Sequence, residues 1–357
     1  MSKDEQISRA LGRRGFLFGG AAIGAGVVLT ACTNSSDDEE NDVSGLVAAP
    51  SSQASDAPGT PVTIGFSAPA ADHGWMAAIT TYAREQAEAF PEVTFNATEG
   101  TNDVNLQISQ VETLINDQVD VLVILPHDGK ALTEIGRKAT QAGIPVINLD
   151  REFSDALAYR LFIAGNNYGM GVAAGNFIAE QMKAKGVSNP VIGEIPGIDS
   201  LPLTQERSQG FKDALAAAGL KLGPRVPAEF TVESGERAAS NLLQAAPKLD
   251  AVWNHDDDQG IGVLQAVKNA GRDEFIMVGG AGSGTAVKDI AADNTVLKAT
   301  VTYSPSMSAS AIRLARAIGQ GKGMSDLVEH EVPSRIILTS ETITKENAAD
   351  YKFGFAS

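Results

Sequence analysis

The chain has 357 residues, 44 of them acidic and 28 basic, for a formal charge of −16. A surface of that sign repels nucleic-acid phosphates and argues against a nucleic-acid partner. A single cysteine leaves no internal disulfide, and four histidines without an i,i+4 pair or a cysteine beside them argue against zinc.

Residues 1–31 read as an export signal. Arg13 and Arg14 precede Gly15, Phe16 and Leu17, and the Gly/Ala-rich stretch that follows carries no charge before Asp37. The arginine pair resembles a twin-arginine signal, with Gly12 and Phe18 departing from the usual pattern. Leu29-Thr30-Ala31-Cys32 resembles a lipoprotein processing box, so Cys32 is the expected lipidation point. Each buried methylene contributes about 0.8 kcal/mol, enough for a multiply acylated cysteine to hold a membrane without a spanning helix. The alternative, an uncut signal anchor, is disfavoured because Gly19, Gly20, Gly24 and Gly26 interrupt a short segment. Residues 32–61 are rich in Ser, Asp, Glu, Ala and Pro with no apolar period, which reads as a flexible tether.

From residue 62 short apolar runs alternate with helical stretches. Strands are expected at 62–66, 93–97, 121–125 and 144–149, separated by helices at 75–90, 105–116 and 130–142. Gly143 and Pro145 close the last of these helices. A second series places strands at 191–195, 226–230, 251–254, 275–278 and 297–302. Helices are expected at 169–184, 205–218, 236–246, 258–270, 285–293 and 307–319. Continuous apolar strands mean burial on both faces, hence parallel sheets covered by helices. The fold class is therefore α/β, with two doubly wound parallel-sheet lobes.

In such sheets ligands sit beyond the carboxyl ends of the strands. The groups expected there are Asp72, His73 and Trp75, then Asp150 and Arg151, Arg207, Phe230, the run His255 to Gln259, and Tyr303. They supply hydrogen-bonding groups and aromatic faces without an organised catalytic set. Asp150-Arg151 is the sharpest signal, since a carboxylate that accepts and a guanidinium fork that donates suit vicinal hydroxyls. A self-satisfied ion pair is the alternative. Trp75 offers a flat face for the C–H side of a sugar ring, or else is a core residue. Asp256-Asp257-Asp258 lacks the alternate spacing of a calcium loop; one carboxylate is expected to face the cleft, one to cap the next helix and one to be solvated. His73 and His255 are expected as hydrogen-bond partners near the cleft. Gly279 to Gly284 lacks the Lys-Ser/Thr pair of a phosphate loop and reads as a close backbone approach.

Pro145-Val146-Ile147-Asn148-Leu149-Asp150-Arg151 and Gln205-Glu206-Arg207-Ser208-Gln209-Gly210-Phe211 together resemble the ribose/galactose-type periplasmic sugar-binding proteins, over about residues 62–338. The resemblance implies two lobes joined by a three-crossing hinge, 62–164 plus 304–333 and 165–303 plus 334–357. It implies a ligand site formed by His73, Trp75, Met76, Asp150, Arg151, Arg207, Phe230, Asp256 and Tyr303. Ala281 departs from the family, standing where an aspartate commonly grips sugar hydroxyls. Function follows as an expectation: a non-enzymatic, extracytoplasmic substrate-binding lipoprotein of an ABC importer, monomeric and without cofactor or metal. It would take a monosaccharide or polyol by hinged closure, with permease and ATPase subunits as partners and the membrane reached through Cys32. The alternative is a receptor that senses a ligand for a signalling kinase or takes up an autoinducer.

Overall fold

The computed structural model describes residues 59–323, 332–352 and 354–356. The export signal, Cys32 and most of the tether lie outside the described residues. Among the described residues no helix is long and apolar enough to cross a membrane.

The first lobe is built on strands β1 (Val62–Ser67), β2 (Val93–Ala97), β3 (Val121–Ile124), β4 (Val146–Leu149), β5 (Leu161–Gly165) and β11 (Arg335–Leu338). They form one sheet in the order β11-β5-β4-β3-β1-β2, parallel throughout. Helices α1 (Gly74–Glu88), α2 (Val104–Asn116) and α3 (Thr133–Gln141) connect the strands. Val121 and Val123 lie in the apolar layer that holds Ile79 and Ala83 of α1, whereas Leu122 and Ile124 lie in the layer that holds Val111 and Leu114 of α2. Alternate side chains of one strand thus enter two apolar layers, which is why the run is continuously hydrophobic.

The second lobe repeats the plan with β6 (Ile192–Ile195), β7 (Leu222–Arg225), β8 (Ala251–Asn254), β9 (Ile276–Ala281), β10 (Leu297–Thr302) and β12 (Thr342–Thr344). Its order is β12-β10-β9-β8-β6-β7, with only β12 antiparallel among these pairings. Helices α4 (Asn167–Ala184), α5 (Pro202–Ala217), α6 (Val232–Ala245), α7 (Asp257–Ala270) and α8 (Gly284–Ala292) cover it. Phe211 of α5 packs on Trp253 of β8 at 4.9 Å between ring centroids, and both are fully buried. Helix α9 (Met307–Gly319) returns to the first lobe and packs on α1.

The chain passes between the sheets after β5, after β10 and again between β11 and β12. This corrects the boundary expected at 333/334, because Arg335–Leu338 pairs with Phe162–Gly165 in the first sheet. The strand expected at 226–230 is found upstream, at Leu222–Arg225. Val226 and Ala228 still bond the backbone of Glu194 and Pro196, but the chain then turns through Phe230, whose φ is +68°. Strands β5, β11 and β12 escaped the reading of apolar runs; β11 alternates Arg, Ile, Ile and Leu at a half-exposed edge.

Candidate functional site

The tips of both sheets face one cavity, lined by His73, Trp75, Asp150, Arg151, Leu203, Arg207, Phe230, Asp256, Ala281 and Tyr303. Eight of the nine residues expected at the site therefore share one space. Met76 does not. It is 1% exposed in the first-lobe core, because Met76, Ile79 and Ala83 fall at i, i+3 and i+7 on the face of α1 turned to the sheet. Trp75, one position earlier, points to the cavity instead.

Asp150 ends β4 with φ +63°. Its amide donates to Ile163 O, and Asn148 ties the loop down by donating to Arg151 O and accepting from Phe153 N. Asp150 and Arg151 form an ion pair that does not satisfy either group: Arg151 Nε lies 3.9 Å from Asp150 Oδ2, too far for a hydrogen bond. Arg151 Nη1 donates to His127 O at 2.7 Å, and its buried Nε has no hydrogen-bond partner. Burial lowers the Arg151 pKa, with Asp150 opposing. Asp150 instead accepts from the Tyr303 phenol at 2.5 Å.

Arg207 reaches the cavity from α5. Its Nε donates to Asn167 Oδ1 at 2.9 Å and its Nη1 to His255 O at 3.3 Å, while its guanidinium lies 4.5 Å from the Tyr303 ring centroid and 5.9 Å from that of Phe230. Arg207 is held from below by a buried polar cluster. Glu194 on β6 accepts from the neighbouring Ser208 Oγ at 2.6 Å, from Arg225 Nε at 2.9 Å and from His255 Nε2 at 2.9 Å. His255 is thus not a cleft residue, contrary to expectation. It is fully buried, and burial pushes its pKa down to about 4.

The aromatic walls depend on two glycines. A Cβ on Gly197 would sit 2.0 Å from the Phe230 ring, and one on Gly165 would sit 2.2 Å from the Tyr303 ring. Phe230 stacks on His73 at 6.4 Å and Trp75 tilts against Tyr303 at 5.8 Å. Gln259 fixes the Phe230 turn by accepting from its amide at 2.9 Å. Burial disfavours a charged His73, yet Asp72, 2.6 Å away, Asp256 and Asp258 raise its pKa overall.

The three consecutive aspartates divide their work differently from expectation, and none is solvated. Asp256 both caps α7, accepting from Asp258 N and Gln259 N, and lines the cavity. Asp257 accepts from the amides of Gly280, Gly282 and Ser283 and from Thr300 Oγ1. Those amides are the donors a phosphate would need, and the Asp257 side chain occupies them from within the protein. Asp258 reaches the other lobe. Among the described residues no group of three His, Cys, Asp or Glu is placed to hold a metal.

Leu203, Ala281 and Asn167 complete the surroundings. Leu203 was findable as the residue one helical turn before Arg207. Asn167 carries no local signal in the sequence, because it follows β5, where no strand is expected from the apolar runs.

Residues 64–323 match the periplasmic binding protein domain family. The chain is 30% identical over 268 residues to the D-ribose/D-allose-binding protein of Pseudomonas aeruginosa, covering 74% of this chain and 81% of that protein. It is 32% identical over 206 residues to the ribose import binding protein of Bacillus subtilis, covering 58% of this chain and 65% of that one. An ABC transporter solute-binding protein from Mycobacterium smegmatis, solved with bound glycerol, superposes with a TM-score of 0.74 at 26% identity, over 83% of this chain and 99% of its own. The two-lobed architecture and these likenesses agree, and the chain belongs to the periplasmic sugar-binding proteins of the type I fold.

Proposed function

We propose that this protein captures a monosaccharide or polyol between its lobes and delivers it, chemically unchanged, to the permease and ATPase of an ABC importer. The observation that carries this reading is the cavity itself. Asp150, Arg151 and Trp75 of one lobe meet Arg207, Phe230 and Asp256 of the other around it, with Tyr303 at a crossing. Neutral polyols both donate and accept at every hydroxyl, so carboxylates and guanidiniums set side by side suit them. Trp75 and Phe230 supply faces for the C–H surfaces. Leu203 and Ala281 add apolar surface to the wall.

Hinged closure follows from this division. Each lobe holds part of the hydrogen-bonding set, so a ligand gains its full complement only when both lobes engage it, and it shifts the population toward the closed form. The ligands named for the relatives, ribose and allose, support this substrate class. Export on a twin-arginine-like signal, lipidation of Cys32, attachment to the outer face of the cytoplasmic membrane, and action as a monomer complete the proposal; they rest on the sequence pattern.

A thermal-shift screen against sugars and polyols tests it, since a ligand bound only by the native state raises stability by mass action. The expected result is stabilisation by a small set of monosaccharides or polyols, and calorimetric affinity lowered by at least about 2 kcal/mol in Asp150→Ala and Arg207→Ala. Unchanged affinity in both variants would refute the site.

A further inference from the structure

Helix α1 begins without a cap of its own. His73 stands at its N-cap position and makes no side-chain capping bond, and the first turn carries no acidic residue. The first amides of a helix have no partner within it and form its positive end, so they call for an anionic or polar acceptor. The acceptor comes from the other lobe. Trp75 N donates to Asp258 Oδ2 at 2.8 Å, across 183 residues of chain.

Asp258 lies in the first turn of α7, and that helix does not need it. Asp256, the N-cap of α7, already satisfies the amides of Asp258 and Gln259 through one carboxylate oxygen. Asp258 is therefore a spare anion between two helix N-termini, one from each lobe. Those two positive ends would repel each other on approach were no negative charge placed there. Asp258 is 2% exposed, so the charge-assisted bond is shielded from competing water. Trp75 is pinned a second time, its Nε1 donating to Tyr303 O at 2.8 Å on the crossing segment.

We propose that Asp258 is a cross-lobe latch: a positioning residue that caps α1 only when the lobes are together, and so keeps a closed form populated even without ligand. The proposal rests on the clamp reading above and adds its regulation. Asp258 does not line the cavity, so its effect on ligand passes through lobe geometry. Opening the lobes would leave the α1 amides to water, and closing them would restore the cap in the same movement that assembles Trp75, Phe230 and Asp256 around the ligand. The latch sets how far the equilibrium already leans toward closure, and with it the share of molecules competent to retain ligand.

The test reads lobe separation directly. Nitroxide labels on Glu99→Cys and Glu229→Cys, in a chain with Cys32→Ser, report from exposed positions just beyond β2 and β7. Those strands are the sheet edges on the side away from the crossings. Electron–electron distance distributions are taken with no addition, with D-ribose and with myo-inositol, for wild type, Asp258→Ala and Asp258→Asn. The latch predicts a short-distance population in the unliganded wild type and a drop of about tenfold in its closed-to-open ratio in Asp258→Ala. Asp258→Asn, which keeps an acceptor oxygen but loses the charge, should fall between them, so the proposal stays testable if the alanine variant folds poorly. A closed population equal in all three proteins would overturn the latch, and so would a wild type with no closed population in any solution. A closed population that depends on Asp258 yet responds to neither sugar supports the latch and counts against ribose and inositol as ligands.

Discussion

Tyr303 donates a 2.5 Å hydrogen bond to Asp150 Oδ1. One residue belongs to the second crossing between lobes and the other to the tip of β4. Burial, followed by the nearby Asp150 charge, raises the phenol's pKa, so it remains a donor at any ordinary pH. The same oxygen lies 3.3 Å from Asn167 Nδ2, whose Oδ1 accepts from Arg207 Nε. A continuous chain, Arg207 to Asn167 to Tyr303 to Asp150, thus links the charged groups of the two lobes through two crossing segments. Tyr303→Phe breaks it in the middle at nearly constant shape. We expect ligand affinity to fall by about 1–1.5 kcal/mol, measured by calorimetry with whichever sugar stabilises the wild type. An affinity equal to wild type would show that Asp150 orients itself without the phenol.

Met76 and Arg207 should separate stability from binding. Met76→Ala opens a cavity in a fully buried layer, which costs about 2–5 kcal/mol of folding stability, while leaving affinity within about twofold of wild type. Arg207→Ala should do the reverse in emphasis. Urea unfolding and calorimetry on both variants check this; a large affinity loss in Met76→Ala would return that residue to the site.

Asp257→Asn is predicted to be disruptive despite its near-identical shape. Gly280 N bonds one carboxylate oxygen, and Gly282 N and Ser283 N bond the other. An amide placed there turns its NH2 toward at least one of these donors, whichever way it flips. Leaving buried donors unsatisfied costs about 1–3 kcal/mol. Because the loop follows directly on Ala281, the end of β9 and part of the cavity wall, both the unfolding midpoint and ligand affinity should drop. Wild-type values in both would mean that the loop holds its shape unaided.

His255 gives the second lobe a pH signature. Its pKa is pushed down to about 4 by burial, with the Glu194 carboxylate opposing, from 6.5 for a free side chain. Between these values the unfolded chain takes up a proton that the folded chain refuses, so stability is full above about pH 6.5 and falls as pH drops toward 4. The loss attributable to this group is roughly 2–3 kcal/mol. His73, with a raised pKa, contributes in the opposite direction, so the comparison is made against His255→Gln. Urea unfolding at several pH values should show a flatter profile for the variant; parallel profiles would exclude His255 as the source.

The amino-acid sequence by itself determined the strands buried on both faces, the two-lobed alternation and most of the residues at the strand tips. These are local properties: a short, β-branched apolar run such as Val121 to Leu125 suits a strand covered on both faces, and a residue that follows such a strand emerges at its end. Tertiary structure decided what depends on distant neighbours. Met76 and Trp75 differ by one position, and only the rotation of α1 against its sheet sends one to the core and the other to the cavity. The roles of Asp256, Asp257 and Asp258 could not be told apart in the sequence, because each is set by a partner far along the chain: the cavity, the β9 loop and the first turn of α1 in the opposite lobe. Strand β11 was hidden for the same reason, since a half-exposed edge strand owes its pairing to β5, more than 160 residues earlier.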